Sequence, residues 1–236
     1  MARNRPLIIA HRGASAAHRE NTVTAFTAAG PLGADAVELD ARRTADGVVV
    51  VLHDDVLPDG RVLVETARAD LPAHVPTLAE ALDACGDLVV NIEVKNWPGD
   101  RDFDPTEAVA DEVVAEVRRR GTPERYLVSS FHRPTVDRVR AAMPELATAF
   151  LHVREDGLAA LAVAVEHGHG ALHPWYGWAT EEVIAAAHEA GVVVNAWTVD
   201  DPEVMARLAG WGIDGIVTNV PDVALEVLGP RESPRR

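Results

Sequence analysis

Ala36-Val37-Glu38-Leu39-Asp40-Ala41, Leu52-His53-Asp54-Asp55 and Asn91-Ile92-Glu93-Val94-Lys95 are the stretches on which the reading of this chain turns. Residues two apart in a strand share a face. Glu38 with Asp40, and Glu93 with Lys95, therefore set charge on one surface, while Val37, Leu39, Ile92 and Val94 set hydrocarbon on the other. Burying an unpaired ion costs roughly several kcal/mol. Three carboxylates placed in apolar strands call for a cation, and strands apolar behind and charged in front call for a sheet covered by helices.

Outward from there, strand-length apolar runs alternate with helix-length amphipathic ones. The expected strands are Leu7–Ala10, Ala36–Ala41, Leu88–Val94, Tyr126–Ser130, Ala147–His152, Ala171–Leu172, Val192–Val199 and Gly215–Thr218. An additional strand, Val48–Leu52, follows the Asp46-Gly47 turn signal and should fold back beside the second. The expected helices are 22–29, 77–84, 105–120, 134–142, 157–166, 180–190, 202–209 and 221–228. Thr77 with Glu80 reads as a capping box, Asp104 as a helix cap, and Gly121 and Gly191 as helix stops. The turn His167-Gly168-His169-Gly170 has a metal-like look but reads as a glycine-bearing helix end. Regular alternation implies parallel strands with right-handed crossovers, and eight units in this length imply an α/β fold, a (β/α)8 TIM barrel. An open doubly wound sheet is the competing topology; it lacks support because no G-x-G-x-x-G follows the first strand. The expected organisation is a single domain over 1–230 and a disordered tail over 231–236.

The chain has 236 residues, 47% of them hydrophobic, enough for one sizeable core. Its net charge of −15 argues against a nucleic-acid partner but leaves room for a small anionic substrate held by local cations. The lone cysteine, Cys85, excludes an internal disulfide and reads as a small buried hydrophobe. The apolar run near the start, Leu7–Ala10, is too short for a signal core, and no run is long enough to span a bilayer. The expectation is a cytoplasmic protein without a stable membrane anchor. The sequence carries no signal for oligomeric state.

Barrel enzymes work at the C-terminal ends of their strands. His11, Arg12, Glu38, Asp40, His53, Glu93 and Lys95 all fall there. Glu38 and Asp40 have a competing reading as ion pairs to Arg42 or Arg43. Glu38, Asp40 and Glu93 offer only oxygen, which suits one hard divalent ion, Mg²⁺ or Ca²⁺ or else Mn²⁺, rather than zinc. His11 and His53 supply a general acid and a general base, and Arg12 and Lys95 can hold phosphate oxygens. Metal, two histidines and two cations describe hydrolysis of a small-molecule phosphodiester.

Ile9-Ala10-His11-Arg12-Gly13, Glu20-Asn21-Thr22, Val37-Glu38-Leu39-Asp40, His53-Asp54, Val75-Pro76-Thr77-Leu78, Ile92-Glu93-Val94-Lys95, Ala196-Trp197-Thr198-Val199 and Asp214-Gly215-Ile216-Val217-Thr218-Asn219 together resemble the glycerophosphodiester phosphodiesterase family. The resemblance spans essentially the whole chain. It implies a barrel hydrolase with one divalent ion, releasing glycerol 3-phosphate and an alcohol. It implies His11 and His53 as acid and base, Glu38, Asp40 and Glu93 as metal ligands, and Arg12 and Lys95 on the phosphate. Glu20 matches the family's acidic position and is expected to orient Arg12 rather than touch metal. Asn21 and Asp54 are expected to support site residues from behind. Phe131 and Trp197 are read either as rim packing or as an apolar wall against substrate carbons. His132 and His173 are expected at the rim. The segment 55–74 is shorter than in many relatives, where it shapes the entrance.

Two other functions fit less well. A lysophospholipase D would keep the site and admit an acyl chain. A non-catalytic barrel binding a phosphorylated ligand should have lost one of the five central residues, and none is missing.

Overall fold

The computed structural model describes residues 5–154 and 156–231. The tail expected over 231–236 lies, apart from Arg231, outside the described residues. Leu7–His11 (β1) leads to Val23–Ala29 (α1), whose first turn is capped by Thr22 accepting from the Ala25 N–H at 3.3 Å. Ala36–Arg43 (β2) carries Val49–Val51 (β3), antiparallel, on its far end. Leu78–Ala84 (α2) begins with the Thr77–Glu80 capping box. Then come Val89–Val94 (β4), Ala108–Arg120 (α3), Tyr126–Ser130 (β5), Arg133–Ala142 (α4), Ala147–His152 (β6) and Gly157–His167 (α5). Ala171–Pro174 (β7), Glu181–Glu189 (α6), Val193–Ala196 (β8), Pro202–Gly210 (α7), Gly215–Thr218 (β9) and Pro221–Leu228 (α8) complete the chain.

The parallel strands run in the order β1-β9-β8-β7-β6-β5-β4-β2, and a β1–β2 pairing closes them into a barrel of eight. β3 is bonded to β2 outside that ring. The fold is a single-domain (β/α)8 barrel, and the open sheet is ruled out by the closing pair.

Several boundaries differ from expectation for local reasons. The helix expected from Pro105 begins at Ala108, because the Asp104 side chain accepts from the Thr106 and Ala108 N–H groups and holds an extra turn before it. The strand expected over Val192–Val199 ends at Ala196, where the chain leaves the barrel for the rim. β7 runs on to Pro174, and β2 to Arg43, where it meets β3. Segment 55–74 contains two short 3-10 turns, and its Leu57, Leu63 and Leu71 pack with Val50 of β3 and Val75 in a separate apolar cluster. The His167–Gly170 turn ends α5 through Gly168 at φ +70°, as its glycines suggested.

The main core lies between strands and helices, with Phe26, Leu39, Ile92, Ile184 and Ile216 fully buried in it. Cys85 belongs to it, its thiol pushed up to about 12 by burial, so it is inert packing. The inside of the barrel is more polar. His173 is buried there, not at the rim, and accepts from Asn195 Nδ2 at 2.9 Å. A Cβ at Gly215 would collide with Asn195 Oδ1, so glycine makes room for that pair. Among the described residues no helix is long and apolar enough to cross a membrane.

Burial pushes the His173 imidazolium down to about 3 from 6.5. A base depressed in the folded state stabilises above its unfolded pKa and loses that contribution as pH falls through the window between them. Between pH 7 and about pH 5 the loss should be roughly 2 kcal/mol. Urea unfolding of the wild type and His173→Gln at both pH values checks this. An equal pH penalty in the two proteins would refute it.

Candidate active site

β1 ends in His11-Arg12-Gly13, where the chain turns sharply. Arg12 and Gly13 lie at φ +56° and +79°. A side chain at Gly13 would meet the Ala25 backbone at 2.7 Å, so only glycine fits. The turn aims the Arg12 N–H at Glu38 Oε2, 2.9 Å away. It also brings Arg12 Nε to 3.3 Å from Asp40 Oδ2. Glu38, Asp40 and Glu93 are buried and face one another on β2 and β4, with one oxygen from each within 4.8 Å of the others. Lys95, just past β4, places Nζ 2.6 Å from Glu93 Oε1 and 3.2 Å from Asp40 Oδ1. Arg42 takes no part in this cluster, so the reading of Glu38 and Asp40 as partners of Arg42 does not hold; Arg42 pairs with Asp100 and Asp102.

Three carboxylates meet two cations, and the pairing is uneven. Burial pushes Asp40 up, but Lys95 and Arg12 outweigh it and hold the carboxyl below the usual range. Burial, with Asp40 and Glu93 beside it, holds Glu38 well above the ordinary glutamate value. Burial also raises Glu93, against Lys95. Glu38 Oε1 is buried and has no hydrogen-bond partner among the described residues. A cluster with excess negative charge and an orphaned carboxylate oxygen fits a hard divalent cation.

His11 places Nε2 4.0 Å from Glu38 Oε2, and its Nδ1 lies 2.7 Å from Asn219 Oδ1. The Asn219 amide is itself fixed: Nδ2 donates to Asp200 Oδ2 at 2.6 Å and Oδ1 accepts from Ser15 at 2.8 Å. Burial is the main cause that lowers the His11 pKa, followed by Arg12. His53, after β3, pairs Nδ1 with Asp54 Oδ1 at 2.7 Å. It lines a cavity of about 200 Å³ with Glu93, Lys95, Trp97 and Phe131.

Other expected residues fall into place around this centre. Glu20 accepts from Arg12 Nη1 at 2.9 and 3.0 Å and is half-exposed. Asn21 donates from Nδ2 to Asp40 Oδ2 at 2.7 Å. Phe131 and Trp197 meet edge to face, centroids 5.3 Å apart, and Lys95 Nζ lies 5.9 Å from the Phe131 ring. His132 sits partly exposed against Thr135 and the Glu107 carboxylate and is not one of the groups paired with Glu38, Asp40 or Glu93. Asn219, Asp200 and Ser15 were missed as site residues. Both Asn219 and Asp200 were reachable from position, since each directly follows an expected strand, Gly215–Thr218 and Val192–Val199.

The glycerophosphoryl diester phosphodiesterase family model matches residues 11–223. The chain belongs to the glycerophosphoryl diester phosphodiesterase family. That places it among the phosphoric diester hydrolases. A glycerophosphodiester phosphodiesterase from Caldanaerobacter subterraneus subsp. tengcongensis is 32% identical, over 94% of this chain and 97% of the relative. Among solved structures, an Oleispira antarctica phosphodiesterase in complex with the product sn-glycerol-3-phosphate superposes with TM-score 0.85 at 25% identity, covering 94% of this chain and 96% of that one. A glycerophosphodiester phosphodiesterase from Thermotoga maritima gives TM-score 0.80 at 26% identity, over 94% and 98%.

Proposed function

We propose that this member of the family hydrolyses glycerophosphodiesters to glycerol 3-phosphate and an alcohol. In this reading Glu38, Asp40 and Glu93 hold one divalent ion, Mg²⁺ or Ca²⁺ or else Mn²⁺. His11 and His53 move the protons, and Arg12 and Lys95 bind the phosphate. The observation that carries it is the charge of the cluster. Three buried carboxylates face only Arg12 and Lys95, and Arg12 is shared with the half-exposed Glu20, so the cluster carries excess negative charge. A divalent ion would offset that excess and let the site accept an anionic phosphodiester. The bound ion would neutralise and orient the phosphoryl group as a Lewis acid. The chain's own groups do the rest. Arg12 and Lys95 can turn from carboxylate to phosphate oxygens, one imidazole takes a proton from the attacking hydroxyl, and the other gives one to the leaving alkoxide. Overall, water adds across one P–O bond. The product named in the Oleispira antarctica complex supports this substrate class.

A second substrate reading has one observation in its favour. An apolar groove of about 300 Å³, lined in part by Phe150, Val153 and Val163, shares Trp97 and Phe131 with the site cavity. It offers an acyl chain a path out of the site, which is what a lysophospholipid would need.

The experiment is product formation from glycerophosphocholine with Mg²⁺, Ca²⁺, Mn²⁺ or EDTA, alongside lysophosphatidylcholine. Glycerol 3-phosphate and choline appearing only with a divalent ion is the expected result. Turnover of the lysolipid alone would move the substrate class. No turnover of either, in folded protein that binds the ion, would sink the reading.

A further inference from the structure

We propose that Arg42 is the positioning residue that holds the His53 loop over the carboxylate cluster. The inference rests on the role just given to His53. It starts from an asymmetry between the two histidines. His11 belongs to a barrel strand and is held by Asn219, which is held in turn by Asp200 and Ser15. His53 lies beyond the strand ring, past the short β3, and its side-chain partner is the exposed Asp54 beside it. Something else must fix its position, because proton transfer tolerates little displacement.

Arg42 supplies that hold. It continues the face of β2 that carries Glu38 and Asp40, two residues further along, and is only 4% exposed. Its Nε donates to the His53 carbonyl oxygen at 2.7 Å. Its Nη1 reaches both carboxylate oxygens of the buried Asp102, at 2.6 and 2.7 Å, and Nη2 reaches Asp100 at 2.9 Å. One guanidinium thus ties β2, the His53 loop and the loop after β4 together. A second tie joins the same two loops, since the Arg101 N–H donates to Asp55 Oδ2 at 2.7 Å. The planar fork matters: a lysine ammonium cannot reach these partners in their fixed directions at once. Arg42 also lines the cavity that His53 shares with Lys95 and Phe131, so the strut borders the space a substrate would fill.

The test is a double-mutant cycle on steady-state rates with glycerophosphocholine and saturating divalent ion. Arg42→Met in the wild-type background should lower kcat by about 10- to 100-fold. In a His53→Ala background the same change should cost less than about twofold, since the residue it positions is gone. KM should move less than about threefold in both. Asp102→Asn, which frees the guanidinium without touching His53, should give a smaller kcat loss with the same dependence on His53; it carries the test if Arg42→Met does not fold. Equal losses in both backgrounds would overturn the proposal and mark Arg42 as a general structural residue. A fully active His53→Ala protein would instead overturn the role of His53 itself, and the proposal with it.

Discussion

Replacing His11 or His53 by alanine is expected to lower kcat by about 10²–10⁴-fold each while leaving the fold intact. The hydrogen bonds around His11 argue for its protonation state. The Asn219 amide has its nitrogen committed to Asp200, so its oxygen faces His11 Nδ1 and accepts a hydrogen bond from the Nδ1–H. That leaves the Nε2 lone pair pointing toward the carboxylate cluster, 4.0 Å from Glu38 Oε2. Burial and Arg12 lower the His11 pKa, which keeps this neutral form available below the ordinary histidine range. Within the proposed mechanism this assigns the base to His11, and His53, with Nδ1 on the Asp54 carboxylate, is then expected to act as the acid. The pH dependence of kcat/KM checks the split. The acid limb should lie below the usual histidine value and should vanish in His11→Ala. Near-normal kcat in both variants would refute the roles, and an unchanged acid limb in His11→Ala would reverse them.

The barrel and the centre of the site were legible in the sequence because both follow local rules. The alternation of apolar runs gave eight βα units, and the two-residue spacing of Glu38 and Asp40 put both on one face of β2. Strand ends then located His11, Arg12, Glu93 and Lys95. What stayed hidden depends on contacts distant in sequence. Nothing near Arg42 names Asp100 and Asp102 as its partners, 58 and 60 residues on, so pairing with the adjacent Glu38 and Asp40 looked equally good. His173 looked like a rim residue because its strand was read too short by two residues; β7 runs on to Pro174 and keeps it inside. Asp200 acts on His11 through Asn219, a relay that spacing does not encode. Segment 55–74 lacks strand or helix periodicity, and its small apolar cluster forms only by folding back on Val50 of β3.

Two conservative changes in the carboxylate triad are expected to abolish divalent-dependent activity and yet to move metal-free stability in opposite directions. Asp40→Asn removes the anion that both Arg12 and Lys95 face, at 3.3 and 3.2 Å. Two partly buried cations then lose one partner each, Lys95 keeping Glu93 and Arg12 keeping Glu20, so the cost should stay below the roughly 3–5 kcal/mol of breaking an isolated buried pair. Glu38→Gln removes the charge the cluster accommodates worst. Its carboxyl is held well above the ordinary value by burial and by Asp40 and Glu93, and its Oε1 has no hydrogen-bond partner among the described residues. A neutral amide of the same shape should leave the metal-free protein unchanged or more stable, by about 1–3 kcal/mol. The sign with pH follows. A carboxyl raised in the folded state stabilises below its unfolded pKa, and that contribution is lost as pH rises through the folded value. Wild-type stability in EDTA should therefore fall as pH rises past the ordinary glutamate range, and Glu38→Gln should fall less. Adding the divalent ion should stabilise the wild type and should do little for either variant, since each lacks a ligand. Urea unfolding in EDTA and in excess Mg²⁺ or Ca²⁺ separates these effects. If both variants lose stability equally in EDTA, Glu38 is an ordinary buried acid and the cluster does not carry the excess charge that makes it a metal site.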